Sequence, residues 1–292
     1  MSDILRVTGL KKTYPGFTLD GVNLNVEAGT IAGFVGRNGA GKTTTIKTIL
    51  GLISPDEGEI RLFGEDPRSS ENARTRLLER IGVVLDTCPF PEQLRVRALG
   101  PIGRTNYPRW NDSLFARHLD AFSIDPKKKI KDLSRGMGMK LQIAFALAHE
   151  PDLLICDEAT AGLDPMARAE TIDVLLDFVA EGERAILLST HITSDLDACA
   201  DTVTCIDAGR MVFSLTKEEI TGLAGVAICS SADLEALRAE SALDDALAIV
   251  PGAYSTEVLV RDRFTFAERF GRIALEPATV EKYMLMTLGG RR

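Results

Sequence analysis

The chain has 292 residues, 45% of them hydrophobic and 26% charged, enough apolar material for one large α/β domain with an appendage or for two smaller domains. Its 34 basic and 42 acidic residues give a formal charge of −8, which argues against nucleic acid or anionic lipid as the main partner. No stretch reaches the ~18 consecutive apolar residues of a membrane span, and the N-terminus lacks the apolar core of a signal peptide, so the chain is expected in the cytosol.

Residues 4–10 and 17–26 alternate apolar and polar and are broken by Pro15-Gly16 and Ala28-Gly29, which predicts antiparallel β-strands. Residues 30–35 are an apolar run. Behind it stand Gly36, Arg37, Asn38, Gly39, Ala40, Gly41, Lys42 and Thr43, and a helical pattern begins at Thr43 and Thr44. This strand, G-x-x-x-x-G-K-T loop and helix is the context of a phosphate-binding loop. Its glycines let backbone N–H groups turn toward phosphate oxygens, and the helix N-terminus adds partial positive charge. Lys42 is expected to reach the β- and γ-phosphates, and the Thr43 hydroxyl to ligate Mg²⁺. The loop therefore implies a nucleoside triphosphate.

Residues 58–64 read as a further strand, and 81–85 as a strand buried in a parallel sheet. From Asp86 to about Glu150 the pattern becomes helical, interrupted by Pro89, Pro91, Pro101, Pro108 and Pro126, and predicts a helical insertion. The lysines of residues 127–131 read as a solvated loop. Residues 153–156 and 185–189 are buried-strand patterns on either side of an amphipathic helix from about 165 to 180, which argues for a parallel sheet covered on both faces. Residues 203–213 predict a closing hairpin that turns at Gly209. Beyond Lys217, residues 234–250 are expected to be partly helical and 257–260 and 272–275 to be short strands. Cys88, Cys156, Cys199, Cys205 and Cys229 show no metal spacing, and several sit in apolar surroundings, which suggests reduced, buried hydrophobes.

The strand at 153–156 ends in Asp157 and Glu158. A strand-end aspartate is suited to the Mg²⁺ shell, and a glutamate beside it to polarising an attacking water. Leu133-Ser134-Arg135-Gly136-Met137 precedes that strand, Ala159 to Pro165 follow Glu158, and Ser189-Thr190-His191 ends the next strand. In order and spacing, over roughly residues 3–220, these motifs resemble the ATP-binding cassette (ABC) ATPases. They correspond to that family's LSGGQ signature, its DEPTSGLDP block and its switch histidine.

The resemblance implies a P-loop NTPase fold: a mixed, mostly parallel core sheet, an N-terminal antiparallel β subdomain, a helical insertion (about 86–150) and a small C-terminal extension. It divides the chain into a nucleotide-binding domain (1–218) and an accessory subdomain (219–292). It implies ATP and Mg²⁺, with Tyr14 on the adenine, Asp86 joining Thr43 and Asp157 near the metal, and His191 on the γ-phosphate and the attacking water. Ser134 and Gly136 would bind the γ-phosphate held by a second subunit, and Asp164 would bridge the interface. The implied assembly is a head-to-tail homodimer or heterodimer of ATPase subunits driving separate transmembrane permease subunits, with export the expected direction. Such a chain would lie at the inner face of the membrane, with no nucleic acid partner. The alternatives are a soluble ATPase of the same family and an ATP-sensing regulatory module.

Three positions depart from the family pattern: Asp86 for glutamine, Arg135 and Met137 within the signature, and Ala159 for proline. Pro89, Phe90, Pro91, Tyr107 and Trp110 are candidates either for gripping a membrane partner or for packing the helical insertion. His118 and His149 read as ordinary structural histidines.

Overall fold

The alternating N-terminal sequence pairs as its period of two requires. In the computed structural model, which describes residues 3–289, β1 (Asp3–Tyr14) and β2 (Phe17–Glu27) form an antiparallel pair. β3 (Ile31–Gly36) then leads through the glycine loop into α1 (Lys42–Ile49). β4 (Glu57–Leu62) returns to β1 and completes a three-stranded sheet of order β2-β1-β4. After α2 (Glu71–Leu78) and β5 (Ile81–Val84) come α3 (Leu99–Asn106), α4 (Asp112–Ala121) and α5 (Arg135–Leu147). The chain continues through β6 (Leu153–Asp157), α6 (Pro165–Val179), β7 (Ala185–Thr190), α7 (Thr193–Cys199) and the hairpin of β8 (Thr202–Asp207) and β9 (Arg210–Thr216).

These strands form a six-stranded sheet of order β5-β6-β7-β3-β8-β9, parallel throughout except for the β8–β9 hairpin. The fold is therefore mixed α/β with a largely parallel core sheet. Its central strands are buried on both faces, which is why they read as continuous apolar runs. Leu153, Ile155, Ala185 and Leu187 face a core shared with α1 and the N-terminal sheet. Leu154, Cys156, Ile186 and Leu188 face a core shared with α5 and α6. Each fully buried Leu or Ile contributes about 1.5–3 kcal/mol, so this double burial dominates the stability of the cassette.

Of the sequence between β5 and β6, α5 packs against β5, and its residues Met139, Leu141, Ile143, Ala144 and Ala146 lie in the main core. Phe90, Tyr107 and Trp110 are half-buried rather than displayed. Their rings meet Phe145 at centroid distances of 5.0, 6.1 and 4.9 Å, so packing accounts for these three; Pro89 and Pro91 remain exposed.

The C-terminal sequence carries more regular structure than its pattern predicts. β10 (Gly225–Cys229), β11 (Ala248–Pro251), β12 (Thr256–Val260) and β13 (Ala274–Pro277) form an antiparallel sheet of order β11-β12-β10-β13. With it go α8 (Ser231–Ala239), α9 (Arg263–Phe270) and α10 (Val280–Gly289). β10, β11, α9 and α10 were not anticipated. The two strands are only five and four residues long, too short for a period to stand out. Ala227, Cys229, Val258 and Val260 face a local cluster with Phe266 and Phe270, whereas Val226 and Leu259 face the main core. The alternation thus gives this sheet two buried faces.

Candidate functional site

Parallel strands collect their C-terminal ends on one side, and β3, β6 and β7 deliver Gly36, Asp157 and Thr190 to the same edge. The glycine loop leaves β3 there. Gly41 has φ 114°, a conformation that L side chains rarely adopt. At Gly36 a Cβ would stand 2.3 Å from the Ile206 carbonyl oxygen, so the loop can hug β8 only without a side chain. The first N–H groups of a helix have no intrahelical acceptor. Among the described residues, those of Lys42, Thr43 and Thr44 donate to no other protein group. They form the donor end that an anion requires.

Lys42 is buried and its Nζ donates to the Gly36 carbonyl at 2.7 Å, so the ammonium lies in the curve of its own loop. The same Nζ stands 3.8 Å from Glu158 Oε1. The other Glu158 oxygen, Oε2, accepts from His191 Nδ1 at 2.6 Å and from the His191 backbone N–H at 3.4 Å. Since a carboxylate only accepts, the proton of this ring lies on Nδ1. Glu158 also has φ 58°, an uncommon backbone state for a residue with a side chain. Its N–H donates to the Ser189 carbonyl at 2.8 Å, which holds the strained turn in place.

Asp157 is 5% exposed. Its Oδ2 accepts from the Thr43 hydroxyl at 2.9 Å and its Oδ1 from the Ser189 hydroxyl at 2.8 Å. Thr43 and Asp157 thus offer adjacent hard oxygen donors, the chemistry that suits Mg²⁺. The sequence reading singled out Lys42, Thr43, Asp157, Glu158 and His191, and the fold brings all five into one connected group. It did not give Ser189 a role, although Ser189 orients the aspartate.

Among the described residues, Ser134, Gly136, Asp164, Tyr14 and Asp86 make no side-chain hydrogen bond or ion pair with this group. Ser134 caps α5, its hydroxyl accepting from Met137 N–H at 3.2 Å. Gly136 lies against Leu163. Asp164 caps α6, its Oδ1 accepting from the N–H groups of Met166 and Ala167 at 3.1 and 3.0 Å. Tyr14 ends β1 opposite Phe17 and is 37% exposed. Asp86 joins neither Thr43 nor Asp157 among the described residues; its Oδ1 accepts from Arg135 Nη2 at 2.7 Å.

A network centred on the buried Thr160 and Asp195 had no sequence signal, because its members are 26–35 residues apart. Thr160 Oγ1 donates to Asp195 Oδ2 at 2.5 Å, and Arg168 donates to Asp195 Oδ1 and Ser194 Oγ at 2.5 and 2.6 Å. It ties the turn after Glu158 to α7, the helix that follows His191.

Comparison with known proteins gives the family. The family model described as "ABC transporter" matches residues 19–161. The bacitracin transport ATP-binding protein BcrA of Bacillus licheniformis is 36% identical over 215 residues, 73% of this chain and 69% of its own length. The daunorubicin/doxorubicin resistance ATP-binding protein DrrA of Streptomyces peucetius is 35% identical over 227 residues, 76% of this chain and 68% of its own. A solved ATP-binding subunit of an ABC transporter superposes with a TM-score of 0.68 at 28% identity, covering 81% of this chain and 98% of that one.

Proposed function

The chain belongs to the ABC transporter family as an ATP-binding and ATP-hydrolysing subunit, and from that premise we propose how its residues divide the reaction. Lys42 and the backbone N–H groups of residues 36–44 receive the β- and γ-phosphates, and Tyr14 stacks on the adenine. Thr43 and Asp157 hold Mg²⁺, which when bound neutralises charge on the phosphates, and Ser189 keeps Asp157 aimed. Glu158 takes the proton of the attacking water. The His191 Nδ1–H bond to Glu158 leaves Nε2 to accept from the attacking water, and a hydrogen bond from Nε2 to the γ-phosphate belongs to the ring carrying its second proton.

Ser134 and Gly136 act on the nucleotide of a second ATPase subunit and Asp164 bridges the interface, in a homodimer or heterodimer closing head to tail over two ATP molecules. Within one chain their side chains cap α5 and α6 rather than joining the Lys42 group, which supports that reading. Membrane subunits supply the pathway, since no helix among the described residues is long and apolar enough to cross a membrane. The chain then sits on the cytoplasmic face of the membrane. Relatives named for bacitracin transport and for daunorubicin/doxorubicin resistance favour export. Residues 1–218 form the cassette, and 219–292 an accessory unit.

The observation that carries this mechanism is the contact of one carboxylate, Glu158, with both Lys42 and His191. Glu158→Gln keeps the shape and removes the base. It is expected to lower ATP turnover by about 10²–10⁴-fold while equilibrium ATP binding persists. Equal rates in the variant and the parent chain would overturn the assignment.

A further inference from the structure

Asp86 and Arg135 are held together by more than their own contact. Val84 of β5 pairs with Cys156 of β6, so residues 85 and 86 leave the sheet at the end where Asp157 and Glu158 stand. Gln142 of α5, only 2% exposed, brackets this exit. Its Nε2 donates to the Leu85 carbonyl and its Oε1 accepts from the Leu85 N–H, both at 3.0 Å. Arg135, seven residues earlier on the same helix face, donates to Asp86 at 2.7 Å. Its guanidinium also lies over Gly162, where a Cβ would stand 3.2 Å from the guanidinium carbon. One side chain therefore touches both the exit of β5 and the loop that runs from Glu158 to Asp164.

Both partners are half or more exposed, 60% and 51%, and such pairs add little to global stability. Their charges matter more than their stability. Asp86 brings a third carboxylate to a strand end already holding Asp157 and Glu158, where a triphosphate must bind. β5 and β6 are neighbouring parallel strands, so residues 85–86 and 157–158 leave the sheet side by side. We propose that Arg135 is a positioning residue that acts through Asp86: it offsets a carboxylate that would repel bound ATP, and it fixes the N-terminal end of α5, with Ser134 and Gly136, to the catalytic end of the sheet. The second half of this assignment rests on the reading that Ser134 and Gly136 serve a partner subunit's nucleotide.

The test is a double-mutant cycle on the full chain with Arg135→Gln, Asp86→Asn and the pair, reading KM and kcat for ATP together with thermal unfolding. Arg135→Gln is expected to raise KM about fivefold and lower kcat, but to change KM less than about twofold when Asp86→Asn is present, with the melting temperature nearly constant. Arg135→Lys restores part of the loss. The difference between wild type and Arg135→Gln shrinks in ~0.5 M salt, where exposed charges are screened within several ångströms. Equilibrium binding of a fluorescent ATP analogue reads the electrostatic part of the cycle independently of turnover. The same fold-change in both Asp86 backgrounds, by either measurement, overturns the proposal. Ser134→Ala separates the two readings. If it leaves hydrolysis unchanged, the partner-subunit reading falls; if it abolishes hydrolysis while Arg135 and Asp86 act additively, only the positioning role falls.

Discussion

His149 shows how the fold alters a single residue. It is buried, its Nε2 lies 3.2 Å from the Ile81 carbonyl oxygen, Tyr107 stacks on its ring at 4.0 Å, and its Nδ1 has no well-aligned partner among the described residues. Burial is the main cause that lowers its pKa to about 4; the backbone carbonyls of Ile81 and Phe145 oppose it, and the charges of Arg109 and Asp152 act less and in opposite senses. Between the unfolded value near 6.5 and about 4, the unfolded chain binds a proton that the native chain does not, so stability falls as the solution is acidified. This residue alone is expected to remove about 3 kcal/mol between pH 7 and pH 4. His149→Gln keeps a donor for Ile81, and urea titrations across that range should lack this component. The sequence marked His149 as structural, but its orphaned nitrogen depends on neighbours from distant segments. Lys42, Asp157 and Glu158 were legible because their motifs are local: Asp157 and Glu158 stand at the end of β6, and Lys42 opens α1 right after the glycine loop that follows β3.

Among the elements, α6 depends most visibly on its first residue. Asp164 caps it with two backbone hydrogen bonds and Pro165 follows at the first helical position, where its missing N–H costs nothing. Asp164→Ala is expected to cost about 1 kcal/mol in denaturant unfolding, with Asp164→Ser recovering most of it. Ser134 caps α5 in the same way. Ser134 and Asp164, both proposed to act at the subunit interface, thus also start helices, so local stability and interface geometry share the same atoms. Long, strongly periodic elements such as β1, β2 and α6 could be read from the chain. β10 and β11 could not, because short apolar runs suit a strand or a buried helix turn equally well until the neighbouring strand is known.

For the whole molecule, the question is how far the C-terminal sheet stands alone. One of its faces has its own cluster, but Val226, Leu259, Val280, Tyr283 and Met286 belong to the main core. Tyr283 meets Phe213 edge-on at 5.0 Å, and the Val280 N–H donates to Asp197 Oδ1 at 3.0 Å. A chain ending at residue 218 would expose the Phe213 side of the core. It is expected to melt several degrees lower than the full chain and to aggregate sooner, which scanning calorimetry with light scattering would read. By itself the sequence determined the class of the fold, the phosphate loop and the acids and histidine that surround it, since each is written in contiguous residues with a strand or helix period beside it. Only the tertiary structure decided that Asp86 faces Arg135, that Ser189 steadies Asp157, and that the C-terminal sheet shares the main core. Those contacts join residues tens of positions apart, and chain folding, not local pattern, brings them within hydrogen-bonding or packing distance.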